Sequence, residues 1–173
     1  MEKILKFLKC KDVDEVVYKM KSYEINEEIE ELKNLIYIIG KEKLKNKDFT
    51  RIRTMRELIE FLNINIGIKN NEEFKVFFLD CDNKLLGEKT LFQGTVDKSV
   101  VYPRLIVEEA LKYPTKGIVI SHNHPSGDVT PSVKDKEVTQ AIKETLKNLN
   151  MSLVDHVIVG QGNHYSFLDN GIL

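Results

Sequence analysis

A chain of 173 residues, 42% hydrophobic and 31% charged, suits one soluble domain of ordinary size with a short appendage. Its 26 Lys and Arg against 27 Asp and Glu leave no global positive field to attract a phosphate backbone. The longest apolar runs fall far short of a membrane span, and Met1 leads into Glu2, Lys3 and further lysines without a secretory apolar core, so the chain reads as cytoplasmic. Cys10 and Cys81 stand too far apart for a local metal motif and are expected as reduced, structural thiols.

Residues 1–65 read as a short helical N-terminal region rich in Lys and Glu. Ile4, Leu5 and Leu8 begin one apolar stripe, and Val13, Val16, Val17 and Met20 a second. Ile29, Leu32, Leu35, Ile36 and Ile39 make a third, which Gly40 stops. Thr54 suits the cap of a helix from Met55 to Leu62, with Glu57 at capping-box spacing. Arg51, Arg53 and Arg56 form the densest arginine cluster, read as a solvated surface because no aromatic residues interleave them for base stacking.

From residue 66 the chain reads as a second unit, extending to residue 173. Phe74, Val76 and Phe78 alternate with Lys75, Phe77 and Leu79, which predicts a strand with one strongly apolar face. Asp80-Cys81-Asp82-Asn83 turns into a second strand from Lys84 to Phe92. Pro103 opens a helix that Pro114 limits, and Gly117–Ser121 reads as a core strand. Ser132 caps a helix running to about Leu149, Leu153–Val159 is a strand, and a turn at 160–163 leads to a last strand, His164–Leu168. Two strands, helix, strand, helix and two strands predict an α/β fold with a mixed sheet flanked by helices.

The chemistry concentrates where the core strand ends, in His122-Asn123-His124-Pro125-Ser126-Gly127 followed by Pro131, Ser132 and Asp135. Histidines two apart project from one face of an extended segment. Pro125 and Gly127 suit the turn that follows, and Asp135 returns toward the histidines on the next helix. Ser132 and Asp135 alone have the spacing of an ordinary capping box. Asp135 also shares the stripe of Val138, Ile142, Leu146 and Leu149, and a carboxylate on a core stripe calls for a partner. Two imidazoles and a carboxylate suit a zinc ion that keeps a position for water, a catalytic arrangement. Asp155 and His156 are read as orienting their strand or as outer partners of the metal imidazoles, and His164 as exposed or structurally bonded.

This motif resembles the JAB/MPN (JAMM) metalloprotease superfamily, and the fuller form His122-Asn123-His124-Pro125-Ser126-Gly127 its RadC-like branch, historically described as DNA repair proteins. Phe77-Phe78-Leu79-Asp80, Phe92-Gln93-Gly94-Thr95, Pro103-Arg104, Asp155-His156-Val157-Ile158-Val159-Gly160 and Tyr165-Ser166-Phe167 extend the resemblance over about residues 70–173. It implies a JAB/MPN, deaminase-like fold whose sheet is mixed and mainly antiparallel. It also implies His122, His124 and Asp135 as zinc ligands, with Ser132 holding the substrate carbonyl oxygen or the attacking water. A glutamate near the start of the first strand would be the general acid/base. Family spacing and strand parity favour Glu72, with Glu73 pointing to the other face and Glu88 a further substitute.

The implied reaction is hydrolysis of a peptide or isopeptide bond, with zinc lowering the pKa of water and Glu72 relaying its proton. Two other functions remain open: a protein that keeps the metal without efficient turnover, and a DNA-associated factor. Residues 1–65 lack the glycine-centred hairpin of helix-hairpin-helix modules, and Ile66-Gly67-Ile68 comes too late to supply it. The expected partner is therefore a peptide or protein, with weak nucleic-acid contact and no membrane; the oligomeric state is not legible.

Overall fold

Strand alternation and crossover length together build one sheet. The computed structural model describes residues 2–21, 27–29, 31–32, 35, 55–67, 69–94 and 101–173. Its strands β1 (Glu72–Leu79), β2 (Leu85–Gly94), β3 (Gly117–Asn123), β4 (Ser152–Gly160) and β5 (Asn163–Ser166) lie in the order β2-β1-β3-β4-β5. Helices are α1 (Glu2–Phe7), α2 (Val13–Lys21), α3 (Met55–Asn65), α4 (Pro103–Ala110) and α5 (Val133–Lys147). β3 and β4 pair in parallel, as a strand–helix–strand crossover through α5 allows, and the other neighbours pair antiparallel. The result is a mixed, mainly antiparallel sheet flanked by helices.

Both faces of the sheet are covered. Phe74, Val76 and Phe78 of β1 pack with Ile118 and Ile120 of β3 under Ile106 and Ala110 of α4 and Ile142 and Leu146 of α5. Phe77 and Leu79 face the other way, joining Val119, Val157 and Val159 beneath Leu58, Phe61, Leu62 and Ile66 from α3 and its end. The expected single apolar face of β1 is thus corrected: α3 buries the second, and Glu73 and Lys75 lie buried on it. α5 ends at Lys147, so Leu149 lies beyond the helix and is 42% exposed instead of completing the core stripe.

Leu8, Cys10 and Ile29 form a small separate cluster with Leu5, Val16 and Leu32, while Val13 and Leu35 are exposed. Ile36, Ile39, Gly40 and Thr54 lie outside the described residues, as do the side chains of Val17, Met20, Arg51, Arg53 and Arg56. Cys10 is buried, Cys81 exposed, and both are free thiols. Among the described residues, no helix is long and apolar enough to cross a membrane.

Candidate metal centre

The ends of β3 and β4 and the start of α5 meet on the α4/α5 face of the sheet. His122 pairs across from Phe74 in β1, and the two rings stack at 5.9 Å with 9° between their planes. His124 lies one residue beyond β3 and still donates its backbone N–H to Val159 O at 2.9 Å. Gly127 closes the turn with its N–H on His124 O at 2.9 Å and a φ of +84°, a region that glycine enters without steric cost. Gly160 serves the same corner differently. A Cβ there would stand 2.8 Å from His124 O, so the end of β4 can pass that carbonyl only as glycine.

Ser132 is the N-cap of α5, and Asp135 is the third residue of the helix. The capping box is formed: Ser132 N–H donates to Asp135 Oδ2 at 2.7 Å, and Asp135 N–H donates to Ser132 Oγ at 3.1 Å. The Ser132 hydroxyl also gives its proton to Asp135 Oδ2, at 2.6 Å. These contacts turn the other carboxylate oxygen, Oδ1, toward the histidines.

His122 Nε2 lies 3.0 Å from His124 Nε2 and 3.3 Å from Asp135 Oδ1, and His124 Nε2 lies 3.9 Å from Asp135 Oδ2. Bonds of about 2.0–2.1 Å around a tetrahedral zinc put its ligand atoms about 3.3 Å apart, so the spacing and the N, N, O donor set fit such an ion. The side chain of His122 is 1% exposed, against 16% for Asp135 and 20% for His124, which leaves the cluster one wet side. Burial lowers the His122 pKa to about 4; the Asp135 charge opposes this and His124 reinforces it, so the ring is neutral at physiological pH. A neutral ring is the form that ligates a metal.

Glu72 shares this side of the sheet. It is half-buried, and burial raises its carboxyl pKa; the Asp135 charge also raises it, whereas His124 lowers it. Glu73 points to the α3 face, where its Oε1 accepts from Lys69 Nζ at 2.5 Å and Gln93 Nε2 at 2.6 Å. Glu88 sits across from Phe77, with Lys75 Nζ at 3.8 Å. The structure thus gathers His122, His124, Asp135, Ser132 and Glu72, and leaves Glu73 and Glu88 apart. Exposed His164 lies on β5. Asp155 accepts from Ser166 Oγ, Leu168 N–H and His156 N–H and so anchors the chain after β5.

Two contributions, from Thr139 and Asn123, were hidden in the sequence, whereas His156 takes the place beside a metal-ligand imidazole that one of its two sequence readings gave it. His156 is fully buried, with Nε2 2.9 Å from His122 Nδ1. Thr139 Oγ1 lies 2.6 Å from His156 Nδ1; its only sequence signal is a hydroxyl one helical turn after Asp135. Asn123 points away from both histidines, accepting Glu73 N–H at 2.7 Å and donating to Lys69 O at 3.2 Å and Asn71 O at 3.1 Å. That amide clamps the segment leading into β1 on either side of Glu72.

A His-x-His pair leaving a central strand, answered by an acidic residue in the first turn of the next helix, makes a cluster able to hold a metal ion in a domain of the JAB/MPN class. A family model described as RadC-like JAB domain matches residues 52–172, and the chain belongs to that family. The UPF0758 protein YkfG of Escherichia coli K12 is 38% identical over 125 residues, covering 72% of this chain and 77% of that protein. The UPF0758 protein of Fusobacterium nucleatum is 35% identical over 148 residues, 83% of this chain and 62% of its own length. A relative from Janthinobacterium is 42% identical over 114 residues, 66% of this chain; the match spans about half, 51%, of that protein.

Proposed function

We propose that the chain is a zinc-dependent metallopeptidase or isopeptidase, with a peptide or protein as its substrate. The observation that carries this reading is the convergence of His122 Nε2, His124 Nε2 and Asp135 Oδ1 beside the half-buried carboxyl of Glu72. A zinc ion held by these three ligands would supply Lewis-acid activation of water and of the scissile carbonyl. Glu72 takes the proton of the attacking water and returns it to the leaving amine. Its raised pKa suits both halves of that exchange, since a carboxyl nearer the working pH gives up a proton as readily as it gains one. Ser132 turns its hydroxyl from Asp135 to the substrate carbonyl once substrate is bound.

A second reading keeps the metal without efficient turnover, in a factor that contacts DNA or another protein. Ser132 favours it, because its one hydroxyl proton goes to Asp135 Oδ2 and its oxygen already accepts the Asp135 N–H. As it stands, that hydroxyl offers nothing to a substrate. The readings separate when zinc-loaded protein meets a degenerate peptide library and a branched lysine isopeptide, with products read by mass. Cleavage abolished by Glu72→Gln is the expected result. Full zinc occupancy without cleavage of either substrate class would favour the second reading. Titration of single- and double-stranded DNA then tests its nucleic-acid form, with weak binding that fades as salt rises expected under the first.

A further inference from the structure

We infer that His156 and Thr139 are positioning residues that keep a proton off His122 Nε2, and so decide that the histidine cluster takes a cation at all. This deepens the metal reading and rests on it. The distances alone leave two possibilities. If His122 carried its proton on Nε2, it would donate it to His124 Nε2, 3.0 Å away, and the pair would be satisfied without an ion. If the proton sits on Nδ1, two lone pairs and a carboxylate oxygen face one another, an arrangement that a divalent cation relieves.

A chain of hydrogen bonds chooses between them, because it ends on a group that can only accept. The Thr139 hydroxyl donates to Asp135 O at 2.5 Å, one turn back along α5. With its single proton spent there, Thr139 Oγ1 can meet His156 Nδ1 at 2.6 Å only as an acceptor, which puts the His156 proton on Nδ1. His156 Nε2 is then a lone pair, so His122 must donate to it across 2.9 Å from Nδ1. His122 Nε2 is left bare and aimed at the cluster. His124 reaches the same state separately, since its Nδ1 meets the carbonyl of Asp128 at 2.6 Å and must donate there.

The relay is held in shape as well as in direction. The His156 ring stacks on Phe167 at 4.6 Å with 16° between planes, and His122 stacks on Phe74. The chain also runs from the backbone of one ligand, Asp135, to the ring of another, His122. It therefore ties the first turn of α5 to β3 through β4.

Two measurements test this. In metal-free protein carrying 15N-histidine, long-range proton–nitrogen spectra read each ring's tautomer directly; His122 and His156 are both expected protonated on Nδ1. A proton on His122 Nε2 would overturn the proposal whether or not the protein binds metal. The second readout is zinc affinity by competition with a chromophoric chelator. Thr139→Val, which keeps the shape and removes the hydroxyl, should weaken zinc by about 10- to 100-fold, the usual cost of losing an outer partner. Thr139→Ser should restore it, and His156→Gln, whose carbonyl can accept from His122 Nδ1, should hold zinc better than His156→Leu. Equal affinity in wild type and folded Thr139→Val sinks the relay. A wild type that binds neither zinc nor cobalt sinks the metal reading instead, and leaves the tautomer spectra to decide the relay.

Discussion

Both faces of the central strands carry buried polar side chains, and they use them in opposite ways. On the α3 face, Ser121 donates to Val157 O, Asn123 makes three bonds to backbone, and one Glu73 oxygen takes two donors. Apart from the second Glu73 oxygen, Oε2, which is buried without a hydrogen-bond partner, these groups find partners inside the protein. On the α4/α5 face, His122, His124 and Asp135 bring acceptor atoms toward one point with no donor between them once the relay is in place. A buried polar group is therefore no sign of a site in itself. Convergent acceptors of one kind are, because only something from outside can satisfy them.

The most damaging way to break this contrast is at the ligands. His122→Ala, His124→Ala or Asp135→Ala should each weaken zinc by more than the roughly 10- to 100-fold that loss of an outer partner costs. Elemental analysis after gentle purification, with chelator competition, reads this; retention of stoichiometric zinc in all three would remove the assignment.

Neighbouring glutamates on opposite faces sharpen the comparison. Glu72→Gln should lower hydrolysis by roughly 100- to 10,000-fold with zinc still bound, as loss of a proton-transfer group does. Glu73→Gln should spare turnover and cost stability, because the partner of Lys69 loses its charge. Matching kinetics in the two variants would show that strand parity does not separate their roles.

Asn123→Ala tests the face without a ligand. It strands the buried Glu73 N–H and releases the part-buried Lys69 O and Asn71 O, and an unsatisfied buried group costs about 1–3 kcal/mol. Urea unfolding should register a loss of at least that size; an unchanged midpoint would mean that water replaces the clamp.

A further effect follows from pH. Burial takes the His122 pKa from 6.5 to about 4, and burial also holds His156 well below 6.5. Between these values the unfolded chain binds protons that the folded chain does not. Metal-free protein should thus keep its full stability above pH 6.5 and lose it as pH falls through this window, by about 1.4 kcal/mol per pH unit for each proton. Urea midpoints that hold constant on acidification would contradict the buried, neutral rings.

Much of the architecture was legible from local pattern. Period-two alternation marked β1, Pro103 marked the start of α4, and the capping spacing of Ser132 and Asp135 marked the start of α5. The three ligand candidates were legible too, because a His-x-His step and an acid on a helix stripe are both one-dimensional facts. Strand parity likewise separated Glu72 from Glu73 before any coordinates.

What the sequence could not settle is which surfaces meet. Periodicity says that a segment has an apolar side but not what covers it, so the packing of α3 over Phe77 and Val157 had to come from the fold. The same holds for the relay. His156 and His122 are 34 residues apart and become partners only because β3 and β4 pair in parallel at one register, and Thr139 joins them only because α5 lies across that pair. The local sequence determined the donor atoms; the tertiary structure decided which of them keep their protons, because a hydrogen bond's direction depends on every partner along the chain.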